Sequence, residues 1–199
     1  MLPEPTIERT PLHTRTVTYN GFARADGLWD IEGTLRDEKH YDHPHEFGTR
    51  AVGQAVHHLA VRVTLDAQFT IRAMDTTMGT TPFSECGVAS QHMQRFVGMT
   101  VGKGWRKAIE QTVGGLQGCT HIRELLANLA TAAFQTIPHH QEMQRMAQGQ
   151  GGWRVQGDAP PFFMGQCMTW DFNGPVVARL APKFVGWVKP EKPKPAHGD

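Results

Sequence analysis

The apolar residues Ile122, Leu125, Leu126, Leu129, Ala130, Ala133, Phe134 and Ile137 constrain this chain more than any other feature. They recur at i, i+3, i+4 and i+7, the spacing that gathers side chains on one stripe of an α-helix. Such a helix must bury its stripe against a second layer. Thr120 reads as its N-cap and Pro138 as its stop. Immediately upstream, the run Gly114-Gly115-Leu116-Gln117-Gly118-Cys119-Thr120-His121 delivers a thiol and an imidazole to the helix start. Unpaired N–H groups and the positive end of the helix dipole favour an anion there, so Cys119 reads as a candidate thiolate or metal ligand. The plainer reading is a tight glycine turn with a small buried cysteine.

The second layer is written in the first third of the chain. Arg15–Tyr19 and Leu28–Leu35 alternate in polarity around Asn20-Gly21 and Asp26-Gly27, a hairpin signal. In the second strand Trp29, Ile31 and Leu35 share one face, and Asp30, Glu32 and Thr34 the other. Asp37 to Gly53 reads as a loop whose His40, His43 and His45 carry little metal-binding signal. Val56–Asp66 alternates again, with Leu59, Val61, Val63 and Leu65 opposite His58, Arg62, Thr64 and Asp66, and the short link to Phe69–Ala73 suits a meander. Helices are expected around Cys86–Phe96 and Trp105–Val113. Cys167–Phe172 and Val176–Leu180, joined by Asn173-Gly174, read as a second hairpin. The expectation is an α+β fold: an antiparallel sheet, built of an N-terminal meander plus a C-terminal hairpin, packed against a few helices. A Pro-rich arm (1–12), one domain (13–188) and a disordered Pro/Lys-rich tail (189–199) complete it. Gly149–Gly152, beside Trp153, Phe162, Phe163 and Met164, reads as a lid segment or as part of the core.

Lys plus Arg is 20 against 19 for Asp plus Glu, which gives no field of one sign with which to hold nucleic acid or an anionic membrane. No stretch approaches the roughly 20 apolar residues of a membrane span, and no basic n-region precedes an apolar run, so the chain reads as cytoplasmic. The partners expected are a small-molecule substrate, no nucleic acid and no membrane, with room for a homo-oligomer. Three cysteines, Cys86, Cys119 and Cys167, argue against a disulfide framework.

These residues support an enzyme acting on a small organic substrate. Cys119, His121, Glu32, Asp30 and His58 are the candidate catalytic groups, because general acid–base and thiolate chemistry need imidazoles, carboxylates or thiols that meet in one cleft. Arg24, Arg62 and Trp29 are candidate substrate-binding groups, an arginine fork being suited to a carboxylate. Individually, Asp30, Glu32, Arg62 and Asp66 are equally well read as cross-strand ion pairs on a solvated face. Neither a Walker run nor a dinucleotide fingerprint is present, and no organic cofactor is expected, so a lyase or hydrolase is preferred. The alternative is a zinc or iron–sulfur site with Cys119, His121, Cys86 and Cys167 as ligands. A third reading is a non-catalytic ligand-binding module that uses Trp29, Trp153, Phe162 and Phe163.

Gly21, Arg24, Asp26-Gly27-Leu28-Trp29-Asp30-Ile31-Glu32-Gly33, Asp37, Lys39, the Val61–Asp66 strand, Thr81-Pro82-Phe83, Cys86, Gly104-Trp105 and the Gly114–His121 run with Glu124-Leu125-Leu126 together resemble the bacterial domain-of-unknown-function family 2889. The similarity runs from about His13 to Ile137. It implies a compact bacterial domain and points loosely to catabolism of aromatic or acyl compounds. The layout also resembles the iron–sulfur scaffolds related to the nitrogen-fixation U protein, which place an antiparallel sheet before helices and use three cysteines. That likeness implies His121 or Asp66 as a fourth ligand, although those scaffolds have an adjacent His-Cys pair where this chain has Cys119-Thr120-His121.

Overall fold

The computed structural model describes residues 2–150 and 157–188. The chain forms two compact units, 1–141 and 142–199. The second has a small core of its own, in which Met164, Val177, Ala181 and Phe184 are buried beneath Phe163, Trp170, Phe172 and Trp187. The tail from Lys189, and Trp153 with Gly151 and Gly152, lie outside the described residues.

In the first unit, strands β1 (His13–Ala23), β2 (Trp29–Lys39), β5 (Ala55–Leu65) and β6 (Ile71–Thr80) form one antiparallel sheet in the order β1-β2-β5-β6. Strands β3 (His43–His45) and β4 (Gly48–Arg50) form a separate hairpin. The stretch expected as a loop is therefore more ordered. β2 runs on through Asp37 to Lys39 because β1 pairs with it as far as His13↔Lys39.

After β6 the chain makes a 3₁₀ segment (Ser84–Phe96), helix α1 (Trp105–Val113), a short 3₁₀ turn (Gly115–Gln117) and the long helix α2 (Thr120–Ala147). The stripe read from the sequence is the buried one: Ile122, Leu125, Leu126, Leu129, Ala130, Ala133 and Ile137 are all buried. They share one core with Ile31, Leu35, Leu59, Val61, Val63 and Leu65 from the sheet and with Phe96, Trp105 and Ile109. Burying each large aliphatic side chain contributes about 1.5–3 kcal/mol. Trp105 keeps its indole polar edge satisfied in this core by donating to the Leu126 carbonyl at 2.8 Å.

Two expectations need correction. Helix α2 does not stop at Pro138 but carries it inside. Contacts on both sides hold the helix there, with Ile137 fully buried and the Trp29 Nε1–H donating to His140 Nδ1 at 3.1 Å. The C-terminal hairpin is also absent. Residues 168–170 form a 3₁₀ turn and Pro175–Leu180 form helix α3. Gly174 has φ −87°, not the positive φ that a two-residue hairpin turn requires, and Pro175 is preorganised for a first helical position and cannot donate to a ladder. The hairpin that accompanies the sheet is instead the one at 43–50.

Candidate functional site

Strand pleating decides which side chains α2 covers. In β2 the odd-numbered residues Trp29, Ile31, Leu35 and Asp37 are buried, and the even-numbered ones point to the other face. Asp37 thus ends an otherwise apolar row, only 3% exposed. His57 continues the row Leu59, Val61, Val63 and Leu65 on β5 and sits directly opposite Asp37. The register shifts immediately afterwards, between Asp37 and Glu38, so the bulge begins where this pair ends. On the other side Arg15 of β1 faces Asp37 in register. The core face of the sheet therefore ends in a polar layer.

A buried carboxylate is costly unless its lone pairs are filled. Arg15 grips Asp37 with both arms of its fork, Nε to Oδ1 at 2.8 Å and Nη2 to Oδ2 at 2.9 Å. His13 Nε2 reaches Oδ1 and His57 Nδ1 reaches Oδ2, each at 3.0 Å. Burial pushes the Asp37 carboxyl up, but Arg15's hydrogen bonds and charge, with His13 and His57, outweigh it and hold the group below its ordinary value. His57 is held below its ordinary value as well, first by burial and then by His121, against the pull of Asp37.

Helix α2 brings the rest. The Cys119 carbonyl accepts from the Arg123 N–H at 3.1 Å, so the cysteine itself is the N-cap, one residue before the expected Thr120. His121 in the first turn lies against His57, ring centroids 4.0 Å apart, with Nε2 3.9 Å from Asp37 Oδ2. Its other nitrogen, Nδ1, is 3.6 Å from Cys119 Sγ. Glu124, one turn on, accepts from Arg15 Nη1 at 2.8 Å. Cys119, His121, His57 and Asp37 thus make a continuous path from a half-buried thiol to a buried carboxylate.

The other candidates lie elsewhere. Glu32 takes Arg62 at 2.8 Å, with Asp75 at 3.7 Å from the same arginine, on the sheet face turned away from α2. Asp30 shares that face, bonded to Arg24 at 3.2 Å and to the Thr64 hydroxyl at 2.6 Å, while Arg24 also holds Asp26. His58 is exposed, opposite in parity to His57. Trp29 is on the covered face but at the far end of β2 from Asp37. Asp66 serves a turn, where Oδ1 accepts the N–H groups of Gln68 and Thr70 and Oδ2 takes Arg72. Cys86 lies in the 3₁₀ segment, and Cys167 is exposed in the second unit. Among the described residues, three or more potential metal ligands come together at Asp37, His57 and His121, a set that includes none of the cysteines.

Sequence reading missed His13, Arg15, Asp37 and His57. A signal existed, because each is a polar residue continuing the apolar parity of its own strand, where alternation predicts a buried side chain.

The sequence model of a family described as "Protein of unknown function (DUF2889)" matches residues 13–135. The chain belongs to that family. Its DUF2889 region begins at His13 and contains every residue of the cluster. No curated protein and no solved structure matches the chain. Among the described residues no helix is long and apolar enough to cross a membrane.

Proposed function

We propose that this DUF2889 protein is an enzyme acting on a small acyl or aromatic substrate, a hydrolase or lyase in which Cys119 is the nucleophile. The observation that carries the reading is the position of His121, one ring nitrogen 3.6 Å from the Cys119 thiol and the other 3.9 Å from the buried Asp37. His121 takes the thiol proton at Nδ1, and the imidazolium formed is stabilised by Asp37 across Nε2. Asp37 is fixed by Arg15 and His13, so it orients His121 without moving. The N-cap position adds the N–H groups of the first helical turn, which favour the thiolate and an oxyanion beside it. Arg15 commits three of its five N–H donors to Asp37 and Glu124, so its part is to support the cluster.

Competitive alkylation with iodoacetamide, read by peptide mass spectrometry, tests this. Cys119 is expected to react at least about tenfold faster than the exposed Cys167, and His121→Ala is expected to abolish that advantage. Equal rates for the two cysteines, or a rate at Cys119 indifferent to His121, would remove the nucleophile assignment.

A further inference from the structure

We infer that Asp37, His57 and His121 bind a divalent transition-metal ion of the zinc class as a three-ligand site open at a fourth position. This goes beyond the thiol chemistry and does not rest on Cys119. One potential ligand atom from each residue lies within 4.8 Å of the other two. Asp37 Oδ2 is 3.0 Å from His57 Nδ1 and 3.9 Å from His121 Nε2. Neighbouring ligands around a tetrahedral ion with bonds of 2.0–2.1 Å stand about 3.3 Å apart, so these separations bracket what the ion needs. Both imidazoles already present a nitrogen to the same carboxylate oxygen, and the ion would replace the proton that His57 Nδ1 shares with it.

The surroundings suit a metal as well. Asp37 Oδ1 is held by Arg15 Nε and His13 Nε2, the outer hydrogen bonding that fixes a ligating carboxylate. Arg15 beside a cation is adverse by itself, but Glu124 accepts from its Nη1 at 2.8 Å. Asp37, Glu124 and Arg15 together therefore carry one net negative charge, which is left for the ion. The ligands come from β2, β5 and the first turn of α2, three elements locked by the same core. Two imidazoles and one carboxylate suit zinc, cobalt or iron(II), and an open fourth position suits a bound water made nucleophilic by the ion. With Nε2 on the ion, His121 carries its proton at Nδ1 and faces Cys119 as a donor, so His121 serves as the thiol's base in the metal-free protein only. The thiol then sits beside the metal site and outside its ligand set.

Chelator-stripped, tag-free protein titrated with cobalt(II) and zinc(II) tests the site. The expected result is about one equivalent bound, with the visible absorption of four-coordinate cobalt and no thiolate-to-cobalt charge-transfer band. Asp37→Asn and His57→Ala should each weaken binding at least about tenfold, while His58→Ala on the open face leaves it unchanged. Cys119→Ser should keep full metal affinity while losing alkylation, so this inference and the nucleophile assignment fail separately. If the Asp37 and His57 variants do not fold, as judged by circular dichroism, the wild-type cobalt spectrum decides alone. No cobalt spectrum, a strong thiolate band, or equal loss in His58→Ala would each overturn the proposal.

Discussion

The two faces of the sheet use the same residue types to different ends. On the open face Glu32, Arg62 and Asp75 form a string of ion pairs with partly to fully exposed side chains, and Asp30 pairs with Arg24. On the face under α2, Asp37 is fully enclosed by Arg15, His13 and His57. Water screens the first set, and each pair there contributes about 0–1 kcal/mol. It screens the second less, because the Asp37 carboxylate is buried even though Arg15 and His13 remain partly exposed, and there the partners shift one another's proton affinity. Placement, and not residue type, makes one face ordinary surface and the other a candidate site.

That contrast is easiest to break at Asp37. Asp37→Ala leaves the Arg15 and His57 donors facing a void and is expected to cost about 3 kcal/mol in urea unfolding. A loss below about 1 kcal/mol would put Asp37 on a par with the open face. Asp37→Asn keeps the shape and should cost less, because an amide still accepts from one side of the Arg15 fork.

Acid sharpens the comparison next. His57 in the folded protein lies below its ordinary value, so its contribution is complete above about pH 6.5 and declines as pH falls through the folded value. Asp37 also lies low in the folded state, so a second loss sets in as pH drops below the ordinary carboxylate value of 3.8 and through the folded value. Thermal unfolding from pH 7.5 to 3 should therefore fall in two stages. In His57→Gln the upper stage should be missing, and its persistence would assign that stage to another histidine.

The smallest effect belongs to the open face. Glu32→Gln and Arg62→Ala are each expected to change stability by no more than about 1 kcal/mol and to leave Cys119 alkylation unaltered. A large change in alkylation from either would connect the two faces.

Gly21 lies on the covered face as well. A Cβ there would stand 2.1 Å from Thr136 Oγ1 and 2.8 Å from Thr136 Cβ. Gly21→Ala should cost about 1–3 kcal/mol, since α2 packs directly on β1 at this point, and a neutral result in thermal unfolding would mean the helix can lift away.

The sequence was legible wherever one periodicity ran unopposed. The α2 stripe and the alternation in β2 and β5 follow from residue spacing alone, as does α1 at Trp105–Val113. Cys119 and His121 were legible because glycines and a cap mark a helix start. Asp37 was not, because the apolar alternation of β2 ends at Leu35 and an acid beyond it reads as loop. His57 and His58 are neighbours of identical chemistry; alternation sets His57 in the row of Leu59 and Val61, and only its pairing with Asp37 shows that this row ends on a buried carboxylate. In the C-terminal unit Asn173-Gly174 gave a genuine turn signal, which the following Pro175 converts into a helix start.

Local spacing by itself thus determined the antiparallel strands, the long helix and the thiol–imidazole pair at its N-terminus, because those depend on residues a few positions apart. Tertiary structure alone decided the site. His13 and Arg15, Asp37, His57 and His121 lie on four separate elements, and only strand register and the docking of α2 bring them to one carboxylate. Register carries that decision because a slip of one residue turns every side chain of a strand to the opposite face.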